Sequence, residues 1–453
     1  MMWQTYRLGD VVENVQSGFA CGDKNVEDGF KHLRMNNIHV DGSLDLSLVR
    51  TVPQVLATSK YRLEQNDVLI CTTNSGKLVG KSALFKMAGD FAFSNHLTRV
   101  RVRKEIAEPA FLQKQLWFKW FHGEIEPLCK HWVNQSTLPK EKLLSLELSL
   151  PDVEEQRCIA TKLDHITACL DDSKARLDTI PAILKRFRLS VLAAACSGRL
   201  TEDWRKMGVQ RDANALLMRI KESRLVAAPR ETERRKIEEF YASFPALLGS
   251  EANLPNSWMA CYVGSIGQVC NGSTPSRKEQ SYWGGNIPWV SSGEVQNCII
   301  KMTRERITQA GYDNCSVRLL PKGSVLIAMI GEGKTRGQSA ILQLEACINQ
   351  NIAAIVIDHG MIEPKYLWYW FQGQYGSTRE AGSGSGPQAL NCQRVRELPF
   401  NLPPLEEQIE IVRRVDDLFK QADAIEVRYR KAKTFTDKLM PAVLAKAFRG
   451  ELV

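Results

Sequence analysis

The sequence has no apolar run long enough to cross a bilayer; stretches such as "SVLIAMI" (residues 324–330) fall far short of the roughly 20 residues a spanning helix needs. Its start, "MMWQTYRLGD", lacks a basic segment followed by an apolar one, so no secretory signal is expected and the cytoplasm is the expected compartment. The 12 cysteines form no C-x-x-C pair and have no zinc-like spacing to histidine, which points to reduced thiols and no metal centre. There is no N-P-P-[FY] tetrapeptide, no glycine-rich loop opening a convincing SAM-binding unit and no complete Walker pair. Methyl transfer and nucleotide hydrolysis by this chain alone are therefore not expected.

What remains is an ordinary globular composition, with 44% hydrophobic and 25% charged residues in a chain of 453, enough for two to four domains. A net charge of +9, from 60 basic and 51 acidic residues, leans toward polyanions and is compatible with nucleic acid without establishing it.

One stretch, "AMIGEGKTRGQS" (residues 328–339), approaches a phosphate-binding loop. Ala328 stands where the first glycine belongs, and the following "SAILQLEACI" has strand-like length and no helical spacing. The loop is better explained by an internal repeat. "LPDVEEQRCIATKLDHI" from Leu150 recurs as "LPPLEEQIEIVRRVDDL" from Leu402, and in the same register "VLAAACSGRL" from Val191 recurs as "VLAKAFRGEL" from Val443. Upstream, "WQTYRLGDVVENVQSG" from Trp3 parallels "WMACYVGSIGQVCNG" from Trp258, and "NDVLICTTNSGKLVGKSALF" from Asn66 parallels "GSVLIAMIGEGKTRGQSAIL" from Gly323. Lys77 and Lys334 thus occupy equivalent polar loops between short apolar runs, the pattern of a repeated β-hairpin. Such a lysine either contacts a polyanion or is simply solvated at an exposed tip.

Each copy ends in a heptad seam. In the first it comprises Ile159, Leu163, Ile166, Leu170, Leu177, Ile180, Leu184, Phe187 and Val191, lapsing at Ser173. In the second it comprises Ile411, Val415, Leu418, Ala422, Ile425, Tyr429, Ala432, Leu439 and Val443, weakest at Thr436. Glu154-Glu155 and Glu406-Glu407 suit the positive end of a helix dipole, and Gly198 and Gly450 supply stops. Roughly 40 residues at about 1.5 Å rise make a rod of about 60 Å. Pro181 is expected to kink or restart the first helix, with Asp178 or Thr179 capping the new start. The connector from Thr201 to Asn256 is long enough to let the two seams pair antiparallel.

Two divergent globular regions, each followed by an "LPxxEEQ" segment and a heptad helix, resemble the specificity subunits of type I restriction-modification enzymes. The phrases "IPAILKRFRLSVLAAACSGRLTEDWR" (residues 180–205) and "LMPAVLAKAFRGELV" (residues 439–453) are similar to the conserved regions of the enteric branch of that family. The resemblance implies a mixed α/β (α+β) chain with two target recognition domains, 1–149 and 258–401. Two helical spacers, 150–200 and 402–453, would form an antiparallel coiled coil with an internal pseudo-two-fold repeat, and 201–257 a helical connector. It further implies a non-catalytic subunit whose partners are double-stranded DNA, two adenine methyltransferase (modification) subunits and, in the full complex, two restriction subunits. This chain would bind no cofactor, SAM belonging to the modification subunit and ATP and Mg to the restriction subunit. The rival is a structural coiled-coil scaffold without sequence-specific DNA binding.

Base readout needs polar side chains within reach of base edges, and phosphate contacts need Lys and Arg. The DNA-binding candidates are Asn74, Lys77, Lys81, Asn134, Gln135 and Ser136 in the first domain. In the second they are Ser273, Thr274, Arg277, Lys278, Lys334, Arg336 and Gln338. Trp283 and Trp289 are expected in the core rather than as stacking platforms. For partner binding, the repeated segment nominates Glu154, Gln156, Glu406 and Gln408, residues that could equally serve only to cap helices.

Overall fold

The computed structural model describes residues 3–22, 26–133, 135–208, 212–249, 251, 253–331, 333–380 and 389–452. The chain divides into two compact units, one made of Met1–Thr179 with Tyr429–Val453 and the other of Ile180–Arg428. Both heptad segments are helical over nearly their whole length, α1 over Val153–Cys196 and α2 over Leu405–Ala447. Each long helix contributes one stretch to each unit.

In the first unit a four-stranded antiparallel sheet runs in the order Val12–Ser17, Leu97–Val102, Val68–Cys71, Ser82–Leu84. A second sheet holds Arg50–Val52, Phe30–Leu33 and Phe91–Phe93, the last two parallel. The strands are short and β-branched or aromatic at inward positions, so Val68, Ile70 and Val100 meet Phe111, Leu112 and Leu116 of the helix Pro109–Phe121 in one core. That same core takes in Ile159 and Leu163 of α1 and Leu444 and Ala447 of α2. Lys433 reaches Asp178 at 2.7 Å and Lys162 donates to the Leu452 carbonyl at 3.2 Å, a register that makes the two helical stretches antiparallel.

The second unit repeats the plan. Its sheet runs Gln268–Asn271, Ile352–Val356, Val325–Ala328, Ser339–Leu342, with Cys298–Ile300 added parallel at the edge. Its smaller sheet, Glu305–Ile307, Trp283–Val290 and Cys347–Ile348, has the same mix of antiparallel and parallel pairs. Val191, Leu192 and Ala195 of α1 and Ile411, Val412 and Val415 of α2 join its core, and Arg188 bonds Asp423 and Glu426 at 2.7 and 2.9 Å, again antiparallel. The connector forms the helices Ala213–Ala227 and Glu231–Ser243.

The apolar seam residues are all buried or half-buried except Phe187 and Ile425, which are 37% and 47% exposed. Thr436, the weak point of the pattern, is buried, and its hydroxyl is satisfied by donating to the Ala432 carbonyl at 2.8 Å. The restart at Pro181 does not occur, since α1 is one helix through the proline. Thr179 donates backward to the Arg176 carbonyl instead of capping, and Pro181 faces solvent, where water can satisfy the carbonyl its ring leaves unbonded.

The "EEQ" triplet explains how each domain is seated on its helix. The second glutamate accepts from the indole of the domain's entry tryptophan: Glu155 from Trp3 at 3.2 Å, Glu407 from Trp258 at 2.8 Å. Glu407, 1% exposed, also accepts from Thr201 and Arg205. The glutamine is fully buried in both copies. The Gln156 amide donates to the Pro151 and Ile106 carbonyls and accepts from the Glu108 backbone; Gln408 donates to Pro403 and accepts from Glu363. Glu108 and Glu363 immediately precede the domain helices Pro109–Phe121 and Pro364–Gly373, so each amide ties two helix starts together. Replacing either glutamine by leucine keeps the bulk and leaves backbone groups unpaired, so Gln156→Leu and Gln408→Leu should each cost about 1–3 kcal/mol in urea unfolding. Unchanged midpoints would contradict the clamp.

Candidate nucleic-acid interface

The Gly-Lys loops are hairpin loops. Val68–Cys71 pairs antiparallel with Ser82–Leu84, and Val325–Ala328 with Ser339–Leu342; a strand, not a helix, follows each loop, which removes the phosphate-cradle reading. The turn-making glycines are Gly80 and Gly337, at φ +95° and +81°, whose amides close the hairpins on the Cys71 and Ala328 carbonyls. The glycines beside the lysines, Gly76 and Gly333, are not among those with positive φ.

A second pair of glycines lets neighbouring loops approach the hairpins. A Cβ on Gly18 would lie 2.1 Å from the Phe93 carbonyl oxygen, and one on Gly272 would lie 1.7 Å from that of Ile348. The loops beyond these glycines therefore reach the turns 94–97 and 348–351. Those turns bond the hairpins in turn, Thr72 to the His96 carbonyl and Met329 to that of Asn351, both at 2.9 Å. In each unit three loops meet at one edge of the sheet.

In the first unit this edge gathers the candidates. Thr73–Asn74 pairs with Ser136–Thr137, which pairs with Lys130–His131, so Asn74 and Ser136 are direct cross-strand neighbours. Lys77 and Gln135 are exposed, and the Lys77 carbonyl is held by the Trp120 indole at 3.1 Å. Ser136 is buried on His131, at 2.8 Å from Nδ1, and Asn74 shapes the turn by accepting from the Ser75 amide, so both act within the scaffold. Asn134 lies outside the described residues. Lys81 does not reach the surface: its ammonium is buried on the Ile38 and Met35 carbonyls, and burial lowers its pKa.

In the second unit Lys334 stands exposed at the tip, its carbonyl accepting from the Tyr375 hydroxyl at 2.7 Å. Arg336 is buried, its carbonyl accepting from Arg379, and half-buried Gln338 gives its carbonyl to the Ala328 amide. Ser273 and Thr274 bond the turn 348–351, through the Ile348 carbonyl and the Gln350 side chain. Lys278 is exposed. Arg277, also exposed, forms a forked pair with Glu305, whose hydrogen bonds and charge raise its already high pKa, and lies 3.7 Å over the Trp283 ring, which fixes its plane. Trp289 is core, donating to the Ser273 carbonyl at 3.1 Å, with Trp283 packed against it edge-on. Sequence reasoning passed over Glu305; an acid that opens a short strand carries no local sign that it will meet Arg277.

Comparison with known proteins decides the family. The family model for the type I restriction modification DNA specificity domain matches residues 2–182 and again 255–432, the two halves of the repeat. The chain belongs to this family. Among curated type I specificity subunits it is 27% identical to that of StySPI from Salmonella potsdam over 429 residues, covering 93% of this chain and 82% of that one. It is 31% identical to that of EcoBI from Escherichia coli over 319 residues, covering 67% and 58%. The fold matches a chain from a solved type I R-M system at TM-score 0.64 and 19% identity, covering 100% of this chain and 98% of the other. It also matches the HsdS subunit of Thermoanaerobacter tengcongensis at 0.61 and 19%, covering 99% and 97%.

For this specificity subunit, two of the four partner-surface residues need correcting. Gln156 and Gln408 are fully buried in the clamps described above and present nothing outward. Glu154 is exposed and bonded to Arg157 at 2.7 Å, and Glu406 is half-buried.

The burial of Lys81 separates it from Lys77 experimentally. Lys77→Ala should leave thermal stability unchanged while weakening DNA binding by the assembled complex and reducing its salt slope by about 1. Lys81→Met should lower the melting temperature and leave the salt slope alone. The reverse pattern would contradict the placement of both residues.

Proposed function

We propose that each unit reads one half of a bipartite duplex target through its three-loop edge, with α1 and α2 setting the distance between the halves. The observation that carries this reading is the pair of equivalent hairpins, Lys77 in one and Lys334 in the other, built on one scaffold and surrounded by different side chains. Phosphate-seeking lysines at matched places fix register, while divergent neighbours discriminate sequence. A fixed separation matters because readers on one face of a duplex must lie about a helical turn, or multiples of it, apart.

The partners in this reading are two adenine-methylating modification subunits and, in the larger assembly, two restriction subunits, acting on DNA in the cytoplasm. SAM belongs to the modification subunit and ATP and Mg to the restriction subunit; this chain supplies recognition and no chemistry. Among the described residues, no helix is long and apolar enough to cross a membrane. Exposed apolar side chains on the long helices, Ile183 and Leu189 on α1 and Ile409 and Val427 on α2, support a docking role for these rods beyond spacing.

Expression of this chain with a matching modification subunit should produce one split motif of adenine methylation, mapped genome-wide, that is absent without the chain. A complex that forms yet leaves no motif would favour the scaffold alternative.

A further inference from the structure

The first unit carries a feature that readout by polar side chains leaves unused. Between Lys130–His131 and Ser136–Thr137 the chain turns back through a tip whose leading side chains are apolar: Trp132 is 67% exposed and Val133 99%. Single exposed hydrophobics are common on protein surfaces, but two consecutive residues, an indole and an isopropyl group, leave more apolar area in water than such single residues do.

The tip is also held. The Trp132 amide donates to the Gln135 carbonyl at 2.8 Å, His131 bonds buried Ser136, and Ser136–Thr137 is paired in turn with Thr73–Asn74 beside the Lys77 turn. Exposed Lys130 and the exposed His131 ring belong to this three-stranded piece, and exposed Lys77 lies in the turn Gly76–Leu78 just after its strand Thr73–Asn74, with Glu126 the carboxylate nearest Gly76. An apolar point with cations nearby, on a strand pair tied to the Thr73–Asn74 strand, matches the chemistry of a duplex groove, where phosphates line the rim and base faces become available if a step is parted.

We propose that Trp132 and Val133 form a wedge that enters between two neighbouring base pairs of the half-site read by the first unit, bending the duplex there. Apolar wedges part base steps and kink DNA at the cost of unstacking, which the wider contact offsets. The energy of deforming that step then adds sequence selectivity at base pairs that no polar side chain touches. The inference rests on the recognition reading above and adds a mechanism to one of its two halves.

The test uses the full chain assembled with its modification subunit, on a duplex containing the mapped motif. 2-Aminopurine is placed at successive positions of both halves other than the methylated adenines, and a fluorophore pair at the ends reports bending. The wild-type complex should raise 2-aminopurine emission severalfold at one step of a single half and bend the duplex. Trp132→Ala with Val133→Ser should abolish both signals and weaken binding to the motif by about tenfold or more, with affinity for unrelated DNA unchanged. Because both residues are exposed, the variant should keep its melting temperature and its co-elution with the modification subunit. Equal signals from variant and wild type would overturn the wedge. So would loss of co-elution, which would make the tip a protein contact. A wild-type complex with no preference for the motif duplex would instead overturn the recognition reading itself.

Discussion

How each domain is seated on its own helix depends on a buried amide at the first turn of that helix. The N-terminus of a helix leaves backbone N–H groups without partners, and a domain arriving there brings its own unpaired carbonyls. Gln156 and Gln408 meet both needs, one side chain bonding the chain before its own helix and the amide that starts the domain helix. Beside them Glu155 and Glu407 take the indoles of Trp3 and Trp258. A reading head whose polar anchor is fully buried cannot rock on its helix without breaking hydrogen bonds that water is not positioned to replace.

The second consequence concerns variation. In both units the sheet, the hairpin closed by Gly80 or Gly337, and the close approaches at Gly18 and Gly272 fix where the loops meet. None of these devices uses the side chains at the loop tips, which are therefore open to change. Among the described residues, the first unit carries a small sheet next to Trp132 and Val133, and the second carries an edge strand, Cys298–Ile300, and an arginine stacked on Trp283.

The repeat, the two helices and the hairpins around Lys77 and Lys334 were legible in the sequence because periodicity and self-similarity are properties of the chain itself. The roles of polar residues were not. Gln156, Gln408, Lys81 and Arg336 have the residue types of a surface, yet tertiary structure brings carbonyls and amides to bury the first three and encloses the fourth. Pro181 misled in the opposite sense: a local rule promised a kink or restart, and no restart occurs, the helix continuing through an exposed proline with half-buried Ile180 and buried Leu184 on its seam. The exposed tip at Trp132 went unremarked because an aromatic in a loop is usually destined for a core.

The central claim, that each unit reads its own half independently, is tested most directly by exchange. Residues 1–149 are replaced by the corresponding region of another specificity subunit of the family with a different target, and adenine methylation is mapped in cells containing the modification subunit. The account predicts a hybrid motif in which one half changes, the other half remains and the spacing between them is preserved. A motif altered in both halves, or with a changed spacing, would contradict it.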